Sequence, residues 1–118
     1  MGNRVSLISE TKHFAKLFDK IVGKADRAKL HKYLTSDPQS GVVIKGSGGI
    51  RKLRWARVGR GKSGGIHIIY YFYSEGSVLY LLTLFAKSEK DNLSKKDINE
   101  LAKITAMIKL KHRKMYDC

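Results

Sequence analysis

Two long apolar segments joined by a four-residue turn constrain the fold of this 118-residue chain most strongly. Ile66 to Tyr73 and Val78 to Ala86 are rich in aliphatic and aromatic residues, and Ser74-Glu75-Gly76-Ser77 between them is a hairpin turn. Because both segments are apolar on both faces of a strand, the sheet needs cover on each side. We predict an antiparallel hairpin with helices on one face and partial cover on the other.

The N-terminal third predicts a short strand and two helices. Val5 to Ile8 fits a strand, and Ser9 is a candidate cap for a helix whose apolar residues recur at spacings of three and four: Phe14, Leu17, Phe18 and Ile21. Gly23 ends that helix. A second helix begins near Lys24, with four candidate core residues: Ala28, Leu30, Tyr33 and Leu34. Asp37-Pro38 ends it, because proline disfavours helix in the residue before it.

The middle of the chain predicts two further strands around a glycine turn. Val42 to Lys45 begins the first, Gly46 to Gly49 is the turn, and Ile50 to Val58 is the second. Alternation along this second strand puts Leu53 and Trp55 on one face and, on the other, two cations: Lys52 and Arg54.

The C-terminal third predicts a helix. Ser94 is a candidate cap with Asp97 in the first turn, and an apolar stripe follows: Ile98, Leu101, Ile104 and Ile108. The order β-α-α-β-β-β-α predicts an α+β fold, with two N-terminal helices, a mainly antiparallel twisted sheet and a C-terminal helix. We expect one domain over residues 1–118.

The charge of the chain is concentrated in one segment. Lys and Arg number 24 against 10 Asp and Glu, and the segment from Pro38 to Ser74 has no Asp or Glu. Its Lys, Arg and His side chains are Lys45, Arg51, Lys52, Arg54, Arg57, Arg60, Lys62 and His67. Such a surplus favours polyanionic partners: RNA, DNA, an anionic membrane or an acidic protein. Nucleic acid would be bound through its phosphates. The alternative is that distant acids, such as Asp91 or Glu100, fold back and neutralise it.

Several classes of site and location are disfavoured. Gly61-Lys62-Ser63 matches part of a phosphate-binding loop, but a strand follows it where a helix is required, so a basic hairpin loop is the better interpretation. Four scattered His and one Cys give no zinc spacing. Met1 to Lys12 lacks the apolar core that a signal peptide needs, and the longest apolar run, Val78 to Ala86, is too short to cross a bilayer. We expect a cytoplasmic protein without metal, cofactor or membrane partner.

Two further residue types are candidates for function. Antiparallel pairing would bring His67 close to Lys52 and Arg54, although a single histidine in a strand is more often structural. Alternation sends Tyr71 and Tyr73 to one face of their strand. These aromatic rings are mainly core candidates, but Tyr71 is also a candidate for stacking on a base of single-stranded RNA.

An ordered set of motifs resembles the RelE/ParE superfamily of bacterial toxins, and most of all its HigB-like branch. The motifs lie between Gly41 and Ile104: Gly46 to Arg54, the glycine-rich basic loop, Ile68 to Phe72, and Tyr80 to Glu89. The resemblance implies a ribosome-dependent endoribonuclease that cuts messenger RNA without a metal, using the RNA 2′-hydroxyl as nucleophile. It also implies a cognate antitoxin, HigA-like for this branch, with the toxin monomeric when free or bound to it.

The resemblance also implies roles for particular residues. Lys52 and Arg54 match the two cations on the second strand of RelE-like toxins. His67 stands where many relatives hold arginine, and Ser88 where RelE itself has another. Lys52 and His67 are the expected proton-transfer groups, and Arg54 with Lys87 would stabilise the phosphate. The expected RNA- or ribosome-binding residues are Lys45, Arg51, Arg57, Arg60, Lys62 and Tyr71.

Three other function classes compete with this one. A non-catalytic RNA- or ribosome-binding module on the same fold would lose binding in Lys52→Ala and have no cleavage to lose. A DNA-binding regulator is disfavoured because no helix-turn-helix is evident. A membrane-surface protein is disfavoured because the basic C-terminal helix lacks aromatic anchors.

Overall fold

The computed structural model describes residues 4–56, 65–86 and 93–116. Within these ranges the elements are, in chain order, β1 (Leu7–Glu10), α1 (Lys12–Ile21), α2 (Lys24–Ser36), β2 (Val42–Val43), β3 (Arg51–Ala56), β4 (Gly65–Tyr73), β5 (Val78–Ala86) and α3 (Lys95–Tyr116). The α+β class is confirmed, with two N-terminal helices and one C-terminal helix. No helix in the described ranges is long and apolar enough to cross a membrane.

The predicted hairpin forms the middle of the sheet. Strand order is β1-β5-β4-β3-β2, and each described pairing is antiparallel except that of β1 with β5, which is parallel. A short 3₁₀ turn at Ser74–Gly76 joins β4 to β5, and Ser77 closes it in the left-handed conformation with φ 58°. The sheet is therefore mixed, and its register shifts once, between Ile69 and Tyr70.

Apolar side chains are buried on both faces of the sheet. On the first face α1 and α2 pack against the sheet through Phe14, Phe18, Leu30 and Leu34. On the second face Leu101 of α3 belongs to a smaller cluster with Ile50, Ile69, Tyr71 and Leu82. This double cover explains why β4 and β5 are apolar at nearly every position.

Two predictions at the N-terminus were wrong by a few residues. The first strand is Leu7–Glu10, because its pairing with β5 continues to Glu10 opposite Leu81. Ser9 therefore lies inside the strand, and Thr11 caps α1 by accepting a hydrogen bond from the Phe14 backbone N–H at 2.9 Å. Tertiary pairing thus sets where the helix begins.

Two predicted core residues of α2 were also wrong. Ala28 and Tyr33 are exposed, whereas Leu30, Leu34 and Asp26 are buried. The buried positions recur every four residues, so α2 presents a single narrow stripe to the sheet.

The capping of α3 is confirmed, but its inner stripe differs from the prediction. The Asp97 N–H donates to Ser94 Oγ at 3.0 Å, and the Ser94 N–H donates to the Asp97 carboxylate at 3.2 Å. Ile104 is partly exposed, while the polar Thr105 and His112 are buried. The helix is thus rotated enough to turn two polar side chains toward the sheet.

Candidate nucleic-acid interface

Three of the predicted site residues lie together on the second face of the sheet. Arg54 on β3 pairs directly with His67 on β4, and Lys52 pairs with Ile69 two residues further along. Paired residues of neighbouring strands share a face, and residues two apart on one strand do so as well. We call Lys52, Arg54 and His67 the basic face.

The imidazole of His67 is held against the sheet. Its ring stacks on Phe85 of β5, with centroids 5.2 Å apart and planes inclined by 24°. Only 8% of the residue is exposed to solvent. Neighbouring strands therefore fix the orientation of this ring beside Arg54.

The cations of this region keep their charge uncompensated within the described residues. Arg54 and Lys45 are exposed and Lys52 is half-buried, and none of them forms an ion pair there. The ion pairs that are described join Arg27 and His31 to two acids, Glu10 and Asp19. Glu100 does not fold back onto Lys52 or Arg54 in this part of the chain. The described part of the acid-free segment thus presents a positive surface; Asp91 lies outside the described residues.

A buried turn fixes the start of β3. Ser47 is fully buried; its Oγ donates to the Ile44 carbonyl at 2.6 Å and accepts from the Ile50 N–H at 3.0 Å. Gly48 has φ 83°, and a Cβ added to it would lie 3.1 Å from Thr105 Cγ2. Thr105 Oγ1 hydrogen-bonds to the Ser47 carbonyl at 3.0 Å. Helix α3 therefore clamps the turn that precedes Lys52.

Lys52 borders an apolar recess. A cavity of about 320 Å³ lies between it, the edge strand and the start of α3, and its other lining residues are Val42, Val43, Ile44, Leu93 and Ile98. The ammonium group therefore lies beside a surface that offers it few polar partners. An RNA or a partner chain that covers this recess would remove water from Lys52.

The structure separates two other predicted residues from the basic face. Arg51 lies on the opposite face and donates to the Gln39 carbonyl at 3.0 Å and the Gly41 carbonyl at 2.7 Å, so it holds the segment before β2. Tyr71 shares the second face, but its ring is buried in the cluster beneath α3. Four further predicted residues lie outside the described residues: Arg57, Arg60, Lys62 and Lys87.

The basic face suits the chemistry of a phosphodiester. Fixed cations stabilise the extra negative charge of a pentavalent phosphate in the transition state. Imidazole and amine groups can carry protons near neutral pH. Within the described residues no three His, Cys, Asp or Glu side chains come together in a way that could hold a metal ion.

Sequence reasoning missed the polar residues that support the site. Ser47 and Thr105 are 58 positions apart in the chain, and Tyr80 and His112 are 32 apart. Each is polar at a position where the local pattern calls for an apolar side chain or a turn. This local mismatch is the only signal that the sequence gives for these four residues, and it does not indicate which residue each one contacts.

Comparison with known proteins identifies similar sequences and structures. The family model described as "RelE toxin of RelE / RelB toxin-antitoxin system" matches residues 8–117. Among solved structures, a double mutant of the E. coli toxin RelE in the free state has a similar fold, with a TM-score of 0.54. The two sequences are 15% identical, and the match covers 81% of this chain and 92% of the E. coli chain.

Proposed function

The chain belongs to the RelE toxin family of toxin-antitoxin systems, and we propose that it is an endoribonuclease that cleaves messenger RNA on the ribosome. One observation carries this proposal: Arg54 is the cross-strand partner of His67 beside Lys52, and no described carboxylate pairs with either cation. The HigB-like branch suggested by the sequence motifs belongs to the same proposal.

The proposed reaction needs only groups of the protein and the RNA. The 2′-hydroxyl oxygen attacks the adjacent phosphorus and loses its proton to a base, while the bond from phosphorus to the 5′-oxygen breaks and that oxygen gains a proton. The products are a cyclic phosphate and a free 5′-hydroxyl. Of Lys52 and His67, one accepts the proton of the 2′-hydroxyl and the other donates a proton to the 5′-oxygen. Arg54 together with Lys87 stabilises the negative charge of the phosphate.

The remaining predicted cations would position the RNA. Lys45 is exposed on the turn before β3. Arg57, Arg60 and Lys62 extend the acid-free segment in the sequence, and phosphate contacts of this kind supply affinity and register without reading the bases.

The proposed partner is a cognate antitoxin, HigA-like for this branch. A protein that silences the basic face has to cover or distort it, and acidic segments complement its charge. The toxin would then be a monomer both free and in this complex.

The basic face is tested by induced expression in bacteria of the wild type and of Lys52→Ala/Arg54→Ala. The wild type should stop growth and degrade messenger RNA. The double variant should lose both effects, because removing such groups lowers rates by roughly 10²–10⁴-fold each. A matched control, Lys29→Ala/Lys32→Ala, removes the same charge from the exposed side of α2 and should remain toxic. Normal growth and intact messenger RNA with the wild type would refute the proposal.

One observation favours a second candidate, a toxin that binds RNA or ribosome without cleaving. His67 is largely buried and stacked on Phe85, as a structural histidine would be. Purified protein added to ribosomes and messenger RNA separates the two. Cleavage that leaves cyclic phosphate ends supports the nuclease, whereas arrested translation on intact messenger RNA supports the binder.

A further inference from the structure

We propose a second RNA-binding site, a pocket for one nucleotide at the end of the sheet opposite His67. It lies between the β4–β5 turn and the C-terminal half of α3, and we call it the turn pocket. The proposal rests on RNA as the substrate, which the proposed function supplies. Its test measures binding alone, so the two can fail separately.

The turn pocket has the size of a small-ligand site and a mainly polar lining. Its volume is about 420 Å³, and such sites commonly hold roughly 300–1,000 Å³. The side chains that carry the argument are Tyr71, Tyr73, Ser74, Glu75, Lys109 and Arg113. Hydroxyls, two cations and one carboxylate therefore face a single cavity.

Two cations on α3 provide its positive charge. Lys109 and Arg113 are four residues apart, so they lie on the same side of the helix. Neither forms an ion pair with any described residue. Glu75, the carboxylate of the pocket, instead accepts a hydrogen bond from the Tyr73 hydroxyl at 3.2 Å.

A buried histidine holds the two walls of the pocket together. His112 lies on α3 between Lys109 and Arg113 in sequence, and its ring stacks on Tyr73 with centroids 4.2 Å apart. Its Nε2 lies 2.6 Å from the Tyr80 hydroxyl of β5. Gly76 completes this packing, because a Cβ there would lie 2.9 Å from the Tyr73 ring. The pocket is thus formed before any ligand arrives.

The lining groups match a nucleotide better than a simple anion or an acidic peptide. Lys109 and Arg113 suit a phosphate, and the Tyr71 hydroxyl that lines the pocket is a further donor. Glu75 suits the amino edge of a base such as cytosine. An acidic peptide would be repelled by Glu75, whereas a nucleotide carries both an anionic group and N–H donors.

The turn pocket and the basic face share one strand. Tyr73 follows His67 by six residues on β4, which at about 3.3 Å per residue separates the two sites by about 20 Å. Alternation places both residues on the second face. A single RNA strand can therefore contact both sites.

The first test measures how the affinity for RNA depends on salt, using an oligonucleotide with 2′-O-methyl groups that cannot be cleaved. Lys109→Gln/Arg113→Gln should lower the slope of log affinity against log salt by about 0.7 for each RNA phosphate that the variant no longer neutralises. The control Lys103→Gln/Lys111→Gln removes equal charge from exposed positions of the same helix and should retain the wild-type slope. Equal slopes for the two variants would overturn the proposal.

The second test uses the wild-type protein and nuclear magnetic resonance, so it does not depend on a variant that folds. Cytidine 3′-monophosphate should shift the backbone amide signals of Ser74, Glu75 and Gly76 more than inorganic phosphate does. Shifts confined to Lys52 and Arg54 would overturn the turn pocket. A glutamate-rich peptide that shifts the three amides as strongly would assign the pocket to an acidic protein and overturn the RNA proposal.

Discussion

Tyr70 connects the central strand to the segment where the acid-free stretch begins. Its side chain is fully buried; its hydroxyl accepts from the Gly41 N–H at 2.9 Å and donates to the Pro38 carbonyl at 2.8 Å. Gly41 is required at this contact, since a Cβ there would lie 2.9 Å from the ring. The Tyr70 hydroxyl and the Arg51 side chain therefore both hold the path of the chain into β2.

Burial of Tyr70 makes stability depend on alkaline pH. Burial raises its pKa above 10.0 in the folded chain, so the unfolded chain loses this proton first as the pH rises. The unfolded state then binds fewer protons than the folded state, and stability falls above about pH 10. Below that pH the hydroxyl is protonated in both states, so it contributes no pH dependence to the stability.

The measurement is urea unfolding at about pH 8 and about pH 11. Tyr70→Phe should be less stable at the lower pH by about 1–3 kcal/mol, because two backbone groups lose their partner. Between the lower and the higher pH, the free energy of unfolding of Tyr70→Phe should fall by less than that of the wild type. The exposed Tyr33, changed to Phe, serves as control and should keep the wild-type pH dependence. A wild-type pH dependence in Tyr70→Phe would contradict the role of this hydroxyl.

The residues of the basic face differ in how far sequence could identify them. Strand alternation was sufficient to place Lys52 and Arg54 on one face, and antiparallel pairing to bring His67 beside them. The opposite face for Arg51 follows from the same alternation, but its hydrogen bonds to Gln39 and Gly41 depend on a loop that no local rule predicts.

At the scale of the elements, helix α3 holds the glycine turn that precedes β3. Thr105 Oγ1 is buried and lies within hydrogen-bonding distance of the Ser47 carbonyl and, at 3.1 Å, of the Leu101 carbonyl of its own helix. An apolar side chain of equal shape would leave the Ser47 carbonyl without this donor.

Thr105→Val should therefore destabilise the chain by about 1–3 kcal/mol in urea unfolding. Thr35→Val is a matched control, because Thr35 also hydrogen-bonds to the carbonyl four residues earlier but is exposed on α2. Its effect should stay within about 0.5 kcal/mol. If both variants lose the same stability, the hydrogen bond from Thr105 to the Ser47 carbonyl adds nothing to the stability that the hydrogen bond within the helix provides.

Elements specified by nearby residues were predicted best. The bounds of β5 agree with the prediction at both ends, since the turn and the apolar run are local signals, and the Ser94 cap is local as well. The start of α1 was missed, because the partner that extends β1 to Glu10 is more than 70 residues away. The rotation of α3 that buries Thr105 and His112 was also missed, because their partners, Ser47 and Tyr80, are distant in the sequence.

At the scale of the whole molecule, the net charge of +14 opposes self-association. Among the described strands β2 nevertheless lies at the edge of the sheet, and its Val42 is 72% exposed. We expect charge repulsion to prevail and the free chain to sediment as a monomer in low and moderate salt. If the wild type sediments as a dimer, the prediction of a monomer is wrong. If Val42→Lys then sediments as a monomer, the contact between the two copies lies on β2.

The position of β1 in the sheet has a consequence for biosynthesis. Its partner β5 lies more than 70 residues further along the chain, so β1 must wait unpaired while the intervening residues are made. The clamp of α3 on the glycine turn comes later still, because Thr105 follows β5. Contacts so distant in sequence also slow folding. A nascent copy therefore cannot complete the sheet and its clamp, and with them the support beneath Lys52, until synthesis has passed Thr105.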